Sequence, residues 1–370
     1  LKNKTEHRHE PEGGARGLGN DMADVTTLEI YLDQACARNS ALSPVCCTVL
    51  DLAEAGRRIA AVLAMGSLAG ALSAKVGESL DGDGQKFLDV MAHDTIRTAL
   101  QNGMVRDFAS EEADEAETLD VRGTLAVAVD PLDGSSNIDT LAPIGTIFSI
   151  LPANGDAPFL QPGRQQLAAG FLIYGPRTAL VLTLGFGTRI FTLHPETGQF
   201  IGADGDAAVP AQTREYAING SNQLHWSPVI ATYIDELLQG EAGPRGKSFN
   251  TRWLASMVAD AYRILIRGGV YLYPADQRRG YGQGRLRLVY EANPVALLME
   301  QAGGAATDGK SAILDMIPLS LHQRCPLIFG AVEEVNRIAA AYTGPRLQTS
   351  PLFNRRSLFR NAENASERRA

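Results

Sequence analysis

The chain has 370 residues, 45% of them apolar, enough to bury a substantial core and to divide it between two domains. The formal charge is -8, and no Lys/Arg stripe interleaved with aromatics runs through the body of the chain, so no nucleic-acid partner is expected. No run of about 18 apolar residues points to a membrane span, and the polar N-terminus lacks the apolar centre of a secretory signal, so a cytoplasmic protein is expected.

The opening residues 1–21 are charged and Gly-rich, with little to pack, and are read as a disordered leader. Met22 then opens an ordered-looking segment and is the expected natural start. From Thr26 to about Ala64 apolar positions recur at helical spacing, with Ser43-Pro44 as a helix start, so two helices are expected. Four cysteines, Cys36, Cys46, Cys47 and Cys325, are too few and too irregular for a disulfide framework or a zinc site. The Gly-rich stretch from Met65 to Gln85 reads as a flexible loop, and a helix from Lys86 to about Asn102 follows it.

The run Leu125–Val129 reads as a buried strand that delivers Asp130 at its C-terminal end. Further strands are expected at 146–151, 166–174, 179–184 and 188–193, as parts of a large sheet. Beyond about residue 205 the pattern alternates: strands at 216–219, 270–273 and 285–290, helices at 228–238, 256–267 and 294–302, the last stopped by Gly303-Gly304. The expected domains are therefore 22–205 and 206–343, followed by a disordered basic tail at 344–370.

The segment from Asp130 to Asp139 reads DPLDGSSNID. A tight turn at the end of a strand can aim Asp130, Asp133 and the carbonyl between them at one point, as hard-oxygen coordination of Mg²⁺ requires. Gly134-Ser135-Ser136 then supplies successive backbone N–H groups of the kind that hold phosphate. An isolated DxxDG is equally at home as a plain turn whose Asp side chains cap local N–H groups. Three further acidic features bear on the choice: Glu111-Glu112 after a strand or loop at 104–109, Glu291 after the apolar run 286–290, and Asp89 on the helix after the loop. Carboxylates converging within about 4 Å repel by on the order of 1 to 4 kcal/mol per pair, so such a cluster would need bound cations.

Additional motifs run through the rest of the chain. They are SEE at 110–112, IGTIF at 144–148, LQPGR at 160–164, SMVAD at 256–260, LYPA at 272–275, YEANP at 290–294, EQAGG at 300–304 and HQR at 322–324. With DPLDGSSNID, these resemble the class I fructose-1,6-bisphosphatases over roughly residues 26–340. DPLDG alone also fits the wider lithium-sensitive phosphatases, but an inositol phosphatase predicts a WDxAA-like segment where YEANP stands.

The resemblance implies an α/β fold in α-β-α-β-α layers, a regulatory-type N-terminal domain, a substrate domain and a homotetramer. It implies more than one Mg²⁺ ion per subunit, held by Glu111, Glu112, Asp130, the Leu132 carbonyl, Asp133 and Glu291. The implied activity is phosphoric monoester hydrolysis, which removes the 1-phosphate of fructose 1,6-bisphosphate in the Calvin cycle, in gluconeogenesis or in both. Asp89 and Glu112 match the pair that orients and deprotonates the attacking water, and Asp83 matches a loop residue that joins the site on closure. Asp133, Gly134, Ser135 and Ser136 match the substrate side of the metal turn. Asn219, Arg252, Tyr273 and Arg285 match the positions that hold the distal phosphate, Arg252 reaching from a neighbouring subunit.

Two departures stand out: Arg285 replaces the usual Lys, and Trp253 the usual Tyr. Together with the segment 250–253 and the long loop 277–283, they resemble the proteobacterial form encoded beside carbon-fixation genes, so sedoheptulose 1,7-bisphosphate is an alternative second substrate. Thr124-Leu125 stands where vertebrate relatives carry a Lys-Tyr pair for AMP, and 25–28 does not match their phosphate turn, so AMP inhibition is expected to be weak or absent. A regulator that keeps the fold without activity would have a broken site, whereas every expected ligand is present.

Overall fold

The computed structural model describes residues 25–69, 75–78, 84–101, 103–203 and 205–344. The expected leader with its Met22 start, Asp83, and the basic tail beyond Gly344 lie outside the described residues.

Seven α-helices carry the described chain: α1 Leu28–Arg38, α2 Ser43–Met65, α3 Phe87–Leu100, α4 Pro228–Leu238, α5 Met257–Arg267, α6 Asn293–Gln301 and α7 Val332–Thr343. Local chemistry sets their starts. The Thr27 hydroxyl caps α1 by accepting from the Ile30 N–H at 3.3 Å, Pro44 occupies the first turn of α2, and Ser227 and Ser256 cap α4 and α5. Each such cap contributes about 1 kcal/mol, and proline at a helix start gives up no backbone bond.

A nine-stranded sheet orders its strands Val25–Thr27, Phe200–Ala203, Arg189–Leu193, Ala179–Thr183, Ala168–Tyr174, Ile144–Pro152, Leu125–Asp133, Val105–Ser110 and Glu117–Thr118. All neighbours pair antiparallel except Val105–Ser110 and Leu125–Asp133, which run parallel. A five-stranded sheet follows in the second half: Asn250–Thr251, Glu215–Ile218, Val270–Tyr273, Leu327–Gly330 and Ala305–Thr307.

Alternation along the strands decides which layer covers which face. Val127, Val129, Phe148, Leu172 and Leu180 pack with α1, α2 and α3 on one face of the large sheet. Ile147, Phe171, Ile173 and Val181 point the other way and pack with α5, α6 and one face of the small sheet, through Tyr271, Leu327 and Phe329. The opposite face of the small sheet, with Tyr216, Ile218, Leu272 and Ile328, is covered by α4 and α7. The order is α-β-α-β-α, the expected layering.

Two expectations need correction. The run 285–290 is not one strand: only Leu286–Arg287 pairs as a strand, and Leu288–Ala292 winds into a π-helical turn that leads into α6. A fully buried apolar run lacks the periodicity that separates strand from helix. The stretch 65–85 is not loop throughout, because Lys75–Glu78 and Gly84–Lys86 pair as an antiparallel hairpin.

Candidate active site

The parallel pair of strands builds the floor of the site. Ser110 lies in register with Val129, so Glu111 and Asp130 leave adjacent strands at the same end. The Glu111 N–H extends this ladder by donating to the Val129 carbonyl at 3.0 Å. The π-helical turn brings Glu291 against them. One carboxylate oxygen from each of Glu111, Asp130 and Glu291 lies within 4.8 Å of the other two.

Asp130 and Glu291 are buried, and the carboxyls of both are held well above the ordinary range, first by loss of water and then by the neighbouring carboxylates. Burial also raises Glu111, against the pull of the neighbouring Arg287 guanidinium. Asp133 and Glu112 add to the field at Asp130. A dense set of oxygen donors, enclosed and mutually repulsive, fits a hard divalent cation.

Between Asp130 and Asp133 the strand slips register against Ile144–Pro152: Asp130 faces Ile147, but Asp133 faces Gly145. Two residues, Pro131 and Leu132, therefore stand against Thr146 alone, a bulge that re-aims the backbone. The Thr146 hydroxyl donates to the Pro131 carbonyl at 2.8 Å, and the Leu132 N–H donates to Asp130 Oδ1 at 3.0 Å. Gly134 follows at φ 77°, a left-handed turn that glycine adopts without strain, and Ser135–Thr140 continues as a 3₁₀ turn.

Asp89 is buried in the first turn of α3. One turn on, His93 Nδ1 is hydrogen-bonded to the Ser110 hydroxyl at 2.9 Å, and that hydroxyl accepts from the Glu112 N–H at 3.3 Å. The helix of Asp89 is thereby tied to the strand end that carries Glu111 and Glu112.

A separate pocket opens at the small sheet, where Asn219, Tyr273 and Arg285 line one cavity with Asn222, Trp226 and Asp276. The Asn219 side-chain oxygen caps the turn after it by accepting from the Ser221 N–H at 3.0 Å, so its amide N–H₂ is the end suited to donate to a ligand. Arg252 does not line this cavity. It is exposed, 3.6 Å from Glu215, and donates to the Thr251 carbonyl. Trp253 stacks on Tyr271, centroids 5.6 Å apart, and lies beside Tyr273.

Several contacts have no counterpart among the sequence expectations. Arg287 donates to Glu111 at 3.2 Å and to the His322 carbonyl, while its backbone N–H donates to Glu291. Asp133 accepts from the Val258 N–H at the start of α5. The SMVAD and HQR motifs mark two of these segments, but the partners across the fold have no local signal.

The sequence model described as "Fructose-1-6-bisphosphatase, N-terminal domain" matches residues 26–204, and the C-terminal domain model of the same family matches 209–343. A fructose-1,6-bisphosphatase class 1 from Acidiphilium cryptum is 60% identical over 352 residues, 94% of this chain and 99% of that protein. The class 1 protein of Rhizobium meliloti is 51% identical over 344 residues, 90% of this chain and 99% of its own length. The crystal structure of Leishmania major fructose-1,6-bisphosphatase in holo form superposes with a TM-score of 0.79 at 31% identity, covering 86% of this chain and 98% of that one. Two domain models spanning nearly the whole described chain, and full-length relatives at this identity, place the chain in the class 1 fructose-1,6-bisphosphatase family.

Proposed function

We propose that this chain hydrolyses the 1-phosphate of fructose 1,6-bisphosphate, giving fructose 6-phosphate and inorganic phosphate. The convergence of Glu111, Asp130 and Glu291, with oxygens within 4.8 Å of one another, carries this reading. The donors fit Mg²⁺, with Glu112, Asp133 and the Leu132 carbonyl as the remaining ligands. Bound there, Mg²⁺ supplies positive charge to the phosphoryl oxygens and lowers the pKa of a water.

The chain's own groups do the rest. Asp89 and Glu112 orient the attacking water and accept its proton as the new oxygen–phosphorus bond forms; the bond from phosphorus to the C1 oxygen breaks, and that oxygen takes up a proton from solvent to leave as the C1 hydroxyl. The N–H groups of Gly134, Ser135 and Ser136 hold the phosphate being transferred. Asn219, Tyr273 and Arg285, which share one cavity, hold the 6-phosphate, joined by Arg252 of a neighbouring subunit. Cationic and neutral donors at that end bind without favouring either phosphorus, so the acid cluster decides which ester breaks. Asp83 joins on loop closure. A homotetramer, a cytoplasmic location and a role in the Calvin cycle or gluconeogenesis accompany this reading.

Sedoheptulose 1,7-bisphosphate is a second candidate substrate, supported by Arg285 and Trp253 at the distal end. Phosphate release across a Mg²⁺ titration, with kcat/KM compared for the two bisphosphates, tests both. Release that depends on Mg²⁺ and disappears in Asp130→Asn is expected. No release from either ester at any Mg²⁺ concentration defeats the reading and leaves a regulator that keeps the fold.

A further inference from the structure

The cavity that holds Asn219, Tyr273 and Arg285 is also lined by a carboxylate, Asp276, an unwelcome charge in a site for an anion. The Asp276 side chain is only 6% exposed, and Arg278 is committed to it. Arg278 Nε lies 3.1 and 3.0 Å from the two carboxylate oxygens, and the Arg278 backbone N–H donates to Oδ1 at 2.9 Å. The guanidinium carbon of Arg278 lies 4.4 Å from the centroid of the Tyr281 ring, and that of Arg285 lies 4.7 Å from the same centroid. One aromatic ring thus carries two guanidiniums, one neutralising Asp276 and the other lining the cavity. Just before Arg285, Gly284 stands at φ 82°, where an added Cβ would come within 2.2 Å of the Cys325 backbone.

We propose that Tyr281 is the positioning residue for Arg285, and that the Asp276–Arg278 pair anchors Tyr281 while cancelling the Asp276 charge in the pocket. The proposal rests on the reading of this cavity as the site for the non-reacting phosphate.

A ring face attracts a cation, and a flat guanidinium stacks on it while its N–H groups remain available to a phosphate. Two guanidiniums at one ring repel each other, and the Asp276 carboxylate offsets that repulsion. Asp276, Arg278 and Arg285 together leave one positive charge at the cavity. An Arg at position 285 suits this arrangement better than a Lys, which lacks the flat face.

Calorimetric binding of fructose 6-phosphate to the full chain tests the proposal, with circular dichroism and Tm as controls for folding. Tyr281→Leu is expected to weaken binding about three- to tenfold, and Tyr281→Phe, which keeps the ring, to stay within about twofold of the unsubstituted protein. Arg278→Gln is expected to weaken binding roughly tenfold by uncovering Asp276, and the double variant Asp276→Asn/Arg278→Gln to recover most of that loss. Binding by Tyr281→Leu within twofold of the unsubstituted protein overturns the proposal. So does equal loss in Tyr281→Phe, failure of the double variant to recover, or no binding to the unsubstituted protein. Phosphate release from the bisphosphate is read separately: a protein that binds fructose 6-phosphate but releases no phosphate defeats the proposed activity, while the binding series still decides the role of Tyr281.

Discussion

Val258 and Asp133 join the two halves of the chain: the Val258 N–H, in the first turn of α5, donates to a carboxylate oxygen of Asp133 at 3.1 Å. Burial pushes the Asp133 carboxyl up to about 6, and the backbone N–H groups of Val258 and Met257 pull against that rise. A helix start from the second half therefore stabilises an anion presented by the large sheet. The acid cluster and the small-sheet pocket are fixed relative to each other through this contact and through the core that α5 shares with Ile147 and Phe171.

Asp130 makes the cost of the cluster measurable. It is buried, and after loss of water its neighbours Glu111, Asp133, Glu291 and Glu112 all oppose its charge. Without metal, Asp130→Asn is expected to be more stable than the unsubstituted protein by at least about 1 kcal/mol, because a repelled charge is removed and the amide can still accept from the Leu132 N–H. With Mg²⁺ at a hundred times its Kd, the unsubstituted protein should gain about 2.7 kcal/mol and the variant much less. Scanning calorimetry with and without Mg²⁺ checks both halves; a variant less stable without metal and equally stabilised by it would contradict them.

Most of the scaffold is legible in the amino-acid sequence, and the exceptions have physical causes. Helices α4 and α5 announce themselves through Ser227-Pro228 and Ser256, and the strand into Asp130 through a bounded apolar run. The run 286–290 misleads because every residue from Leu288 to Ala292 is buried, so no alternation marks its face. DPLDG shows the turn, but not the register slip opposite Thr146 that aims it. Arg287, Tyr281 and Asp276 carry no such signal because their value lies in partners met in the folded chain, and a charged or aromatic side chain in a loop reads as solvated.

Asp89 separates chemistry from binding. Its carboxylate is buried at the start of α3 and is the proposed proton acceptor with Glu112. Asp89→Asn keeps the shape and removes the base, so kcat is expected to fall about 10²- to 10⁴-fold with KM within a few fold. Steady-state kinetics at saturating Mg²⁺ measure the split. An unchanged kcat would remove Asp89 from the mechanism.

His93 should give the fold a dependence on acid. Burial depresses its pKa below the ordinary 6.5, with Arg97 adding to this and Asp94 and Glu117 opposing. The unfolded chain therefore binds a proton that the folded chain resists, and stability rises with pH wherever the unfolded state holds more protons. This contribution is fully present above the unfolded pKa and is lost as pH falls toward the folded value. The carboxyls of Asp130, Glu291 and Asp133, which burial raises, change stability in the opposite sense over this range, so the His93 share is read as a difference. In urea unfolding from about pH 7.5 to about pH 5, His93→Gln should gain stability relative to the unsubstituted protein as pH falls. An identical slope in the variant would assign the acid sensitivity to other groups.

Arg245 and Glu334 form an ion pair shielded from water, with side chains 8% and 2% exposed. Glu334 accepts from Arg245 at 2.7 Å and from the Tyr233 hydroxyl at 2.8 Å, and the guanidinium sits 5.0 Å over the Phe249 ring. Removing one partner leaves the other charged and enclosed, so Arg245→Met or Glu334→Gln is expected to cost about 3–5 kcal/mol. The double change Arg245→Met/Glu334→Gln removes both charges and should cost less than either single change, since the attraction within the buried pair returns only part of the hydration that burying it forfeits. Denaturant unfolding of the three variants decides the matter. A double variant as unstable as the sum of the singles would mean that the pair acts through packing on Tyr233 and Phe249 and not through its charges.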